Sequence, residues 1–149
     1  DQELMLPTIR SRTQIFQFKK QVERLRNQLE QAGLVKNKAR LLAEFSQSQA
    51  EAEKLTNQTS FWTLLEESER FYSWLDAGKK ESYLQVSKLA SLADDKEKQD
   101  QVFRILEVLA GQEIQKKVAR TILQNLLEAR KMWKANVSFQ NSLEYLVLQ

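Results

Sequence analysis

Apolar residues recur at three- and four-residue steps over almost the whole chain from Lys19 onward, and this spacing is the feature that most restricts the fold. It places apolar side chains on one face of a helix, whereas a half-buried strand would need a two-residue period. Glycine and proline, which mark helix ends, number only three and one in 149 residues. The sequence therefore predicts an all-α fold with few turns.

Residues 1–18 lie before this pattern and are the exception to it. Ile15, Phe16 and Phe18, with glutamines at the neighbouring positions, favour a short strand over a helix. Pro7 favours extended or turn backbone ahead of a helix. We therefore expect a short non-helical segment at the N-terminal end of the sequence.

The stretch Leu-Pro-Thr-Ile-Arg-Ser-Arg-Thr-Gln, residues 6–14, is the only segment whose residues suggest chemistry rather than helix packing. Arg10 and Arg12 lie close together just after the proline. By its spacing alone, the stretch predicts a solvated basic turn.

The helical pattern divides into two groups at the polar stretch Thr56-Asn57-Gln58, where we expect a domain boundary. Three short helices are predicted before it, and they make a small bundle at residues 19–57. Five longer helices are predicted after it, and they make a self-sufficient bundle at residues 58–149. The predicted helices cover about residues 19–32, 36–44, 48–56, 59–77, 80–93, 95–110, 112–134 and 138–149.

Helix ends are marked by glycines and by capping residues. Gly33, Gly78 and Gly111 are each predicted to end a helix. One of the adjacent pair Asp94 and Asp95 is predicted to cap the N-terminus of the helix that follows.

The aromatic residues of the second bundle separate into core and off-core positions. Phe71 and Tyr72 keep the spacing of a buried helix face, and the same spacing places Tyr83 and Leu84 in the core. Ile114 and Val118 are also predicted to face inward. Trp62 and Trp74 lie off the apolar stripe, and we expect them to be interface residues, since aromatic side chains are enriched at interface centres.

Two clusters of charge could suggest a site, and both are interpreted as solvated helix faces. The first cluster is acidic and the second is basic: Glu66, Glu67 and Glu69, and Lys116, Lys117 and Arg120. Carboxylates one or two residues apart on a helix point in different directions, which is unlike a paired acid and base.

The composition of the chain excludes several classes of function. The sequence has no Cys and no His, which removes thiolate catalysis, the commonest general base and the commonest zinc ligands. We therefore expect neither an enzyme nor a metal site. The net charge of +3 comes from interspersed Lys and Glu, and no apolar run approaches a membrane span, so we expect a cytoplasmic protein. The opening at Asp1 without Met leads us to expect a C-terminal fragment of a larger protein.

Three segments resemble AAA+ clamp loaders. Residues 6–14 resemble the end of the nucleotide-binding domain of that family, where a Ser-Arg-Cys triplet carries an arginine finger. Residues 34–43, Leu-Val-Lys-Asn-Lys-Ala-Arg-Leu-Leu-Ala, resemble the second lid helix. Residues 135–146, Ala-Asn-Val-Ser-Phe-Gln-Asn-Ser-Leu-Glu-Tyr-Leu, resemble the closing helix of a bacterial clamp-loader subunit. The resemblance covers nearly the whole chain in the expected order.

The resemblance implies that three parts of the chain belong to different domains with different roles. Residues 1–18 would be the remnant of an AAA+ core, residues 19–57 a lid, and residues 58–149 a collar through which five subunits associate as a ring. Arg12 would be an arginine finger that reaches the ATP site of the adjacent subunit in trans. The implied partners are the delta and gamma/tau subunits, with the sliding clamp and primer-template DNA contacted through the assembled complex.

Two positions depart from the family pattern. Thr13 stands where the triplet has Cys, which leaves the arginine and its charge in place. Ala50 stands where ATP-binding subunits carry a sensor arginine. The loss of that cation argues against ATP hydrolysis at this subunit's own site, so the resemblance implies a non-hydrolysing accessory subunit of a bacterial replication complex, without a cofactor of its own.

Two other functions stay open from the residues alone. One is a helical nucleic-acid-binding module that uses the Lys and Arg faces with the off-stripe tryptophans, for which binding would weaken steeply with salt. The other is a freestanding helical adaptor for protein interactions.

Overall fold

The computed structural model describes the backbone of residues 7–149 and the side chains of residue 14 and of residues 17–149. The described chain is helical throughout and contains no strand, which confirms the all-α prediction. Its helices are α1 (Pro7–Gln31), α2 (Lys36–Phe45), α3 (Gln49–Thr56), α4 (Thr59–Asp76), α5 (Ser82–Leu92), α6 (Lys96–Gln112), α7 (Lys117–Lys134) and α8 (Phe139–Leu148).

The predicted non-helical segment is wrong for residues 7–18, because α1 begins at Pro7 and runs without a break through the predicted boundary at residue 18. Proline is well tolerated in the first helical position, where its missing N–H would have no intrahelical partner. The Arg, Gln and Lys residues that follow are good helix formers. Residues 1–6 lie outside the described residues.

The chain forms two compact units, residues 1–53 and 54–149. The division falls inside α3, four residues before the predicted boundary after residue 57. The last turn of α3 belongs to the second unit, where the indole Nε1 of Trp62 donates to the carbonyl oxygen of Thr56 at 2.9 Å and Leu55 is buried. A side chain of α4 therefore holds the segment that the sequence assigns to the first domain.

In the first unit α1 packs against α2, and the turn between them is set by Gly33. Gly33 has a φ of 101°, its N–H donates to the carbonyl of Glu30 at 3.0 Å, and the N–H of Leu34 donates to the carbonyl of Leu29 at 3.1 Å. This pair of bonds is a Schellman motif, which satisfies carbonyls that the helix end leaves free. The buried side chains of the unit include Leu29, Ala39, Leu41, Leu42, Ala43, Phe45 and Ala52.

In the second unit α4 to α8 form a closed bundle. In space, α4 packs against α6, α6 against α7, α7 against α8, and α8 against α5. Contact between α5 and α4 closes the ring of helices. Every helix therefore has at least two neighbours, α4 and α7 also contact each other, and each helix buries an apolar face in one shared core. The largest fully buried side chains of this core are Phe71, Phe103, Leu89, Leu106, Leu126 and Leu143.

Aromatic rings join α6, α7 and α8 at the centre of this core. The ring of Phe103 lies 5.7 Å from that of Phe139 in an edge-to-face arrangement and 5.4 Å from that of Trp133. The indole Nε1 of Trp133 donates to the side-chain oxygen of Gln99 at 2.9 Å. Above Phe103, the guanidinium of Arg130 is paired with two carboxylates of α6, at 2.7 Å from Glu107 and in contact with Asp100.

Several predicted helix ends are confirmed. Gly78, with a φ of 66°, ends α4, and its N–H donates to the carbonyl of Leu75 at 3.1 Å. Asp95 caps α6, accepting a hydrogen bond from the backbone N–H of Lys98 at 2.8 Å. The sequence therefore specifies these boundaries through local geometry that does not depend on packing.

The prediction that Gly111 ends a helix is wrong, because α6 continues through it to Gln112 and α7 begins only at Lys117. Ile114 consequently lies in the connection between the two helices, and it is exposed, as is Val118 in the first turn of α7. The predicted burial of both residues is wrong: Ile114 is not helical, and Val118 lies outside the buried face of α7 that contains Ala119 and Ile122.

The predicted burial of Tyr83 and Leu84 is also wrong, since both are exposed on α5. The buried face of α5 includes Ser82 and Gln85, two polar residues that an apolar pattern cannot reveal. Ser82 donates through its hydroxyl to the carbonyl of Lys79 at 2.7 Å, so its burial leaves no hydrogen-bonding group unsatisfied.

Candidate functional site

The two positions that carry the functional resemblance lie in the first unit. The backbone of Arg12 lies in the second turn of α1, and its side chain lies outside the described residues. Ala50 is the second residue of α3 and is exposed. The structure therefore gives Arg12 a helical backbone in place of the predicted turn and does not test its role as an arginine finger.

The two tryptophans predicted to lie at an interface are both half-buried on α4. The indole of Trp62 already has intramolecular partners, since it donates to Thr56 and its ring lies 5.5 Å from that of Phe61 at an angle of 67°. Trp74 follows three turns later on the same helix. Trp62 therefore has a packing role within the second unit, and an interface role for either residue stays a prediction.

The acidic cluster of α4 is not a uniformly solvated face, because Glu67 is only 7% exposed. Its carboxylate accepts hydrogen bonds from Lys88 at 2.9 Å and from the side-chain amide of Gln85, and it pairs with Arg70 at 3.4 Å. Glu66 and Glu69 are exposed, as predicted. The solvated-face interpretation is therefore wrong for Glu67, which links α4 to α5.

Burial and pairing act in opposite directions on the pKa of Glu67. Burial alone would raise the pKa, but the hydrogen bonds from Lys88 and Gln85 and the positive charges of Arg70 and Lys88 outweigh it. The pKa of Glu67 consequently lies below its ordinary value, and the carboxylate stays ionised near neutral pH. A low pKa suits an ion-pair partner rather than a general acid.

The basic cluster between α6 and α7 is exposed, as predicted. Lys116 pairs with Glu113 at 3.1 Å, which raises the pKa of the ammonium group. One guanidinium nitrogen of Arg120, Nη1, donates to the carbonyl oxygens of Ile114 at 3.0 Å and Gln115 at 2.8 Å. Arg120 therefore fixes the backbone of the connection that leads into α7.

The connection is also anchored from the core side. The hydroxyl of Tyr72 donates to a carboxylate oxygen of Glu113 at 3.2 Å. Burial, followed by the negative charge of Glu113, raises the pKa of Tyr72 well above its ordinary value, so the phenol remains protonated. Residues 113–116 are thus held at both ends by side chains of the surrounding helices.

An open groove of about 510 Å³ lies along the outer surface of α7 and its connection. We call it the α7 groove. Its lining consists of Ile114, Lys117, Arg120, Thr121, Leu123, Gln124 and Leu127. It combines apolar side chains with two cations and no carboxylate, which is a composition suited to binding another molecule rather than to catalysis.

The sequence prediction missed the apolar members of this groove. Leu123 and Leu127 lie four residues apart, on a second stripe beside the core stripe that contains Ile122 and Leu126. That four-residue spacing was the available signal, because it gives α7 a wider apolar face than its core contacts require.

Two classes of site find no support in the described part of the chain. No group of three or more Asp or Glu side chains there is arranged to hold a metal ion. Among the helices that the structure describes, none has both the length and the apolar character needed to cross a membrane.

Compared with known protein families, curated proteins and solved structures, the chain matches none. By its fold, the described chain belongs to the class of all-α proteins, and it contains a five-helix unit.

Proposed function

We propose that this chain is the lid and collar of a non-ATP-hydrolysing subunit of the bacterial replicative clamp loader. The subunit that its segments resemble is the delta-prime subunit of DNA polymerase III. The observation that best supports the proposal is the five-helix unit at residues 54–149, which has its own core and follows a smaller helical unit. A collar that joins subunits into a ring requires such an independently packed domain.

The collar works by association rather than by chemistry. In this proposal residues 58–149 bind the delta and gamma/tau subunits, and the assembled complex places the sliding clamp on primed DNA. Exposed apolar side chains on the outer surface of the bundle, such as Leu127 in the α7 groove, provide contact area for these partners. The chain itself would act in the bacterial cytoplasm and would contact clamp and DNA through the complex.

Arg12 would contribute to catalysis at a neighbouring subunit. A guanidinium presented in trans stabilises the charge that develops on the transferred phosphoryl group, and such fingers contribute about 10³ to 10⁵ in rate where they have been measured. The exposed alanine at position 50, in place of a sensor arginine, supports a subunit that does not hydrolyse ATP at its own site.

The arginine-finger role is tested in a protein that also carries an intact nucleotide-binding domain. We expect Arg12→Ala to lower DNA-dependent ATP hydrolysis and clamp loading by the complex at least tenfold, while the complex still assembles. Arg10→Ala is the matched control, since it removes an arginine from the same helix two residues away. Unchanged ATP hydrolysis with Arg12→Ala would contradict the assignment.

The partner assignment is tested by affinity capture. The full chain carrying a tag is mixed with purified delta and gamma/tau subunits, and we expect both to be retained. A chain that retains neither, and that instead binds DNA with an affinity falling steeply as salt is raised, would be a nucleic-acid-binding module.

A further inference from the structure

The α7 groove brings large exposed apolar side chains together in one depression of the surface. Ile114 and Leu127 are 42% and 51% exposed, although both are large and apolar. Leu123 lies between them and is half-buried against the edge of the core. Exposed apolar side chains that adjoin one another in a depression mark a binding surface more often than isolated ones do.

The length of the groove fits a helix better than a compact small molecule. Its lining runs along α7 from Lys117 to Leu127 at steps of three and four residues. Ten residues of α-helix cover about 15 Å, which is close to three turns of a second helix lying beside it. Helix-in-groove recognition uses apolar anchors at this spacing.

The charge of the groove selects an acidic occupant. The lining holds the cations Lys117 and Arg120 and no carboxylate. The nearest acidic residues along the chain, Glu113 and Glu128, each already pair with a lysine at 3.1 Å. Their charges are therefore compensated, and the groove itself is positive.

We propose that the α7 groove binds an acidic amphipathic helix of a neighbouring clamp-loader subunit. Apolar side chains of that helix contact Leu123 and Leu127, and its carboxylates pair with Lys117 and Arg120. That the helix belongs to a clamp-loader subunit rests on the proposed function. That it is acidic and amphipathic follows from the residues that line the groove. Because the charge pairs lie at an exposed rim, they steer association and weaken with salt, while the leucines supply most of the affinity.

The experiment measures the affinity of the labelled full chain for a mixture of purified delta and gamma/tau subunits. Leu127→Asp and Lys117→Glu alter the groove at exposed side chains, so the fold is retained, which circular dichroism verifies. Val118→Asp is the matched control for the first variant, since Val118 is 47% exposed and lies about two and a half turns before Leu127, on the opposite side of α7. Lys96→Glu, an exposed charge reversal at the start of α6, is the control for the second.

We expect Leu127→Asp to weaken binding at least tenfold, as loss of a central interface residue does. Lys117→Glu should weaken binding severalfold at low salt and less at high salt, and the two control variants should bind like the unaltered chain. If the unaltered chain binds but the groove variants and controls all behave alike, the groove assignment is overturned and the proposed function stands. If the unaltered chain does not bind, both fall. Loss of self-association or of DNA binding in the groove variants, with subunit binding retained, would assign the groove to a different occupant and overturn the proposal.

Discussion

Glu67 is a buried carboxylate whose charge is held by Lys88, Gln85 and Arg70. Because its folded pKa lies below the ordinary value of 4.5, ionisation stabilises the fold above about pH 4.5, and this contribution is lost as the pH falls through the folded pKa. We expect Glu67→Gln to lower the free energy of unfolding by about 1–2 kcal/mol at neutral pH, since it weakens hydrogen bonds to a charged group. Urea unfolding followed by circular dichroism measures the difference.

The pH dependence of the free energy of unfolding distinguishes the effect of the Glu67 charge from the effect of the side chain's shape. The difference between Glu67→Gln and the unaltered chain should shrink as the pH falls from about 4.5 through the lower folded pKa, at which the native carboxyl group becomes protonated and resembles the amide. Glu66→Gln is the control: its side chain is 72% exposed and its ion pair with Arg70 is a long 3.9 Å contact, so little change is expected. An equal loss for both variants, or a difference that does not vary with pH, would contradict this account.

Arg130 joins α7 to α6 through Glu107 and Asp100. Its side chain is only 18% exposed, and its replacement removes the cation that pairs with both carboxylates. We expect Arg130→Met to lower the free energy of unfolding by about 1–3 kcal/mol. Lys131→Met, one residue further along, should have almost no effect, because that lysine is 73% exposed and pairs within α7 alone. Similar losses for the two variants would show that the pairing across helices has no special importance.

At the scale of the helix, the same substitution at two glycines should have opposite effects. A Cβ at Gly78 or at Gly111 would meet no atom within 4 Å, so only backbone conformation differs. Gly78 is in the left-handed region at the end of α4, and Gly78→Ala should cost about 1 kcal/mol. Gly111 lies in the last turn of α6 without a positive φ, and Gly111→Ala should stabilise by about 0.5 kcal/mol. Thermal unfolding of both variants provides the measurement, and shifts of the same sign would contradict this account.

Helix ends could be predicted where neighbouring residues determine them. Buried faces were harder to predict, because they depend on packing against other helices. Left-handed glycines and an aspartate cap could be predicted from sequence because these signals act within a few residues. At Gly111 the prediction fails by two residues, because this glycine does not take the left-handed conformation of a helix cap and α6 ends only at Gln112. The burial of Ser82 and Gln85 on α5 could not be predicted from the spacing of apolar residues, because both side chains are polar. Gln85 is buried because it finds a hydrogen-bond partner distant in sequence, Glu67.

For the whole molecule, the order of a smaller helical unit and a five-helix bundle follows from the apolar spacing, whereas the α7 groove does not. The groove depends on the partial exposure of Leu123 and the exposure of Leu127, and a sequence pattern cannot separate an apolar residue that is covered within the chain from one left for a partner. The proposed role of Arg12 likewise rests on resemblance alone, because an arginine on a helix carries no sequence signal of a site on another chain.

We propose that the chain assembles with clamp-loader subunits, and size-exclusion chromatography with light scattering is the test of that assembly. The full chain, alone and mixed with purified delta and gamma/tau subunits, is followed by its absorbance and mass. We predict that the chain leaves its own position and elutes with both subunits in a single larger complex. Elution of all the chain at the position of the free 17.5 kDa protein, with the other subunits present in excess, would contradict the claim.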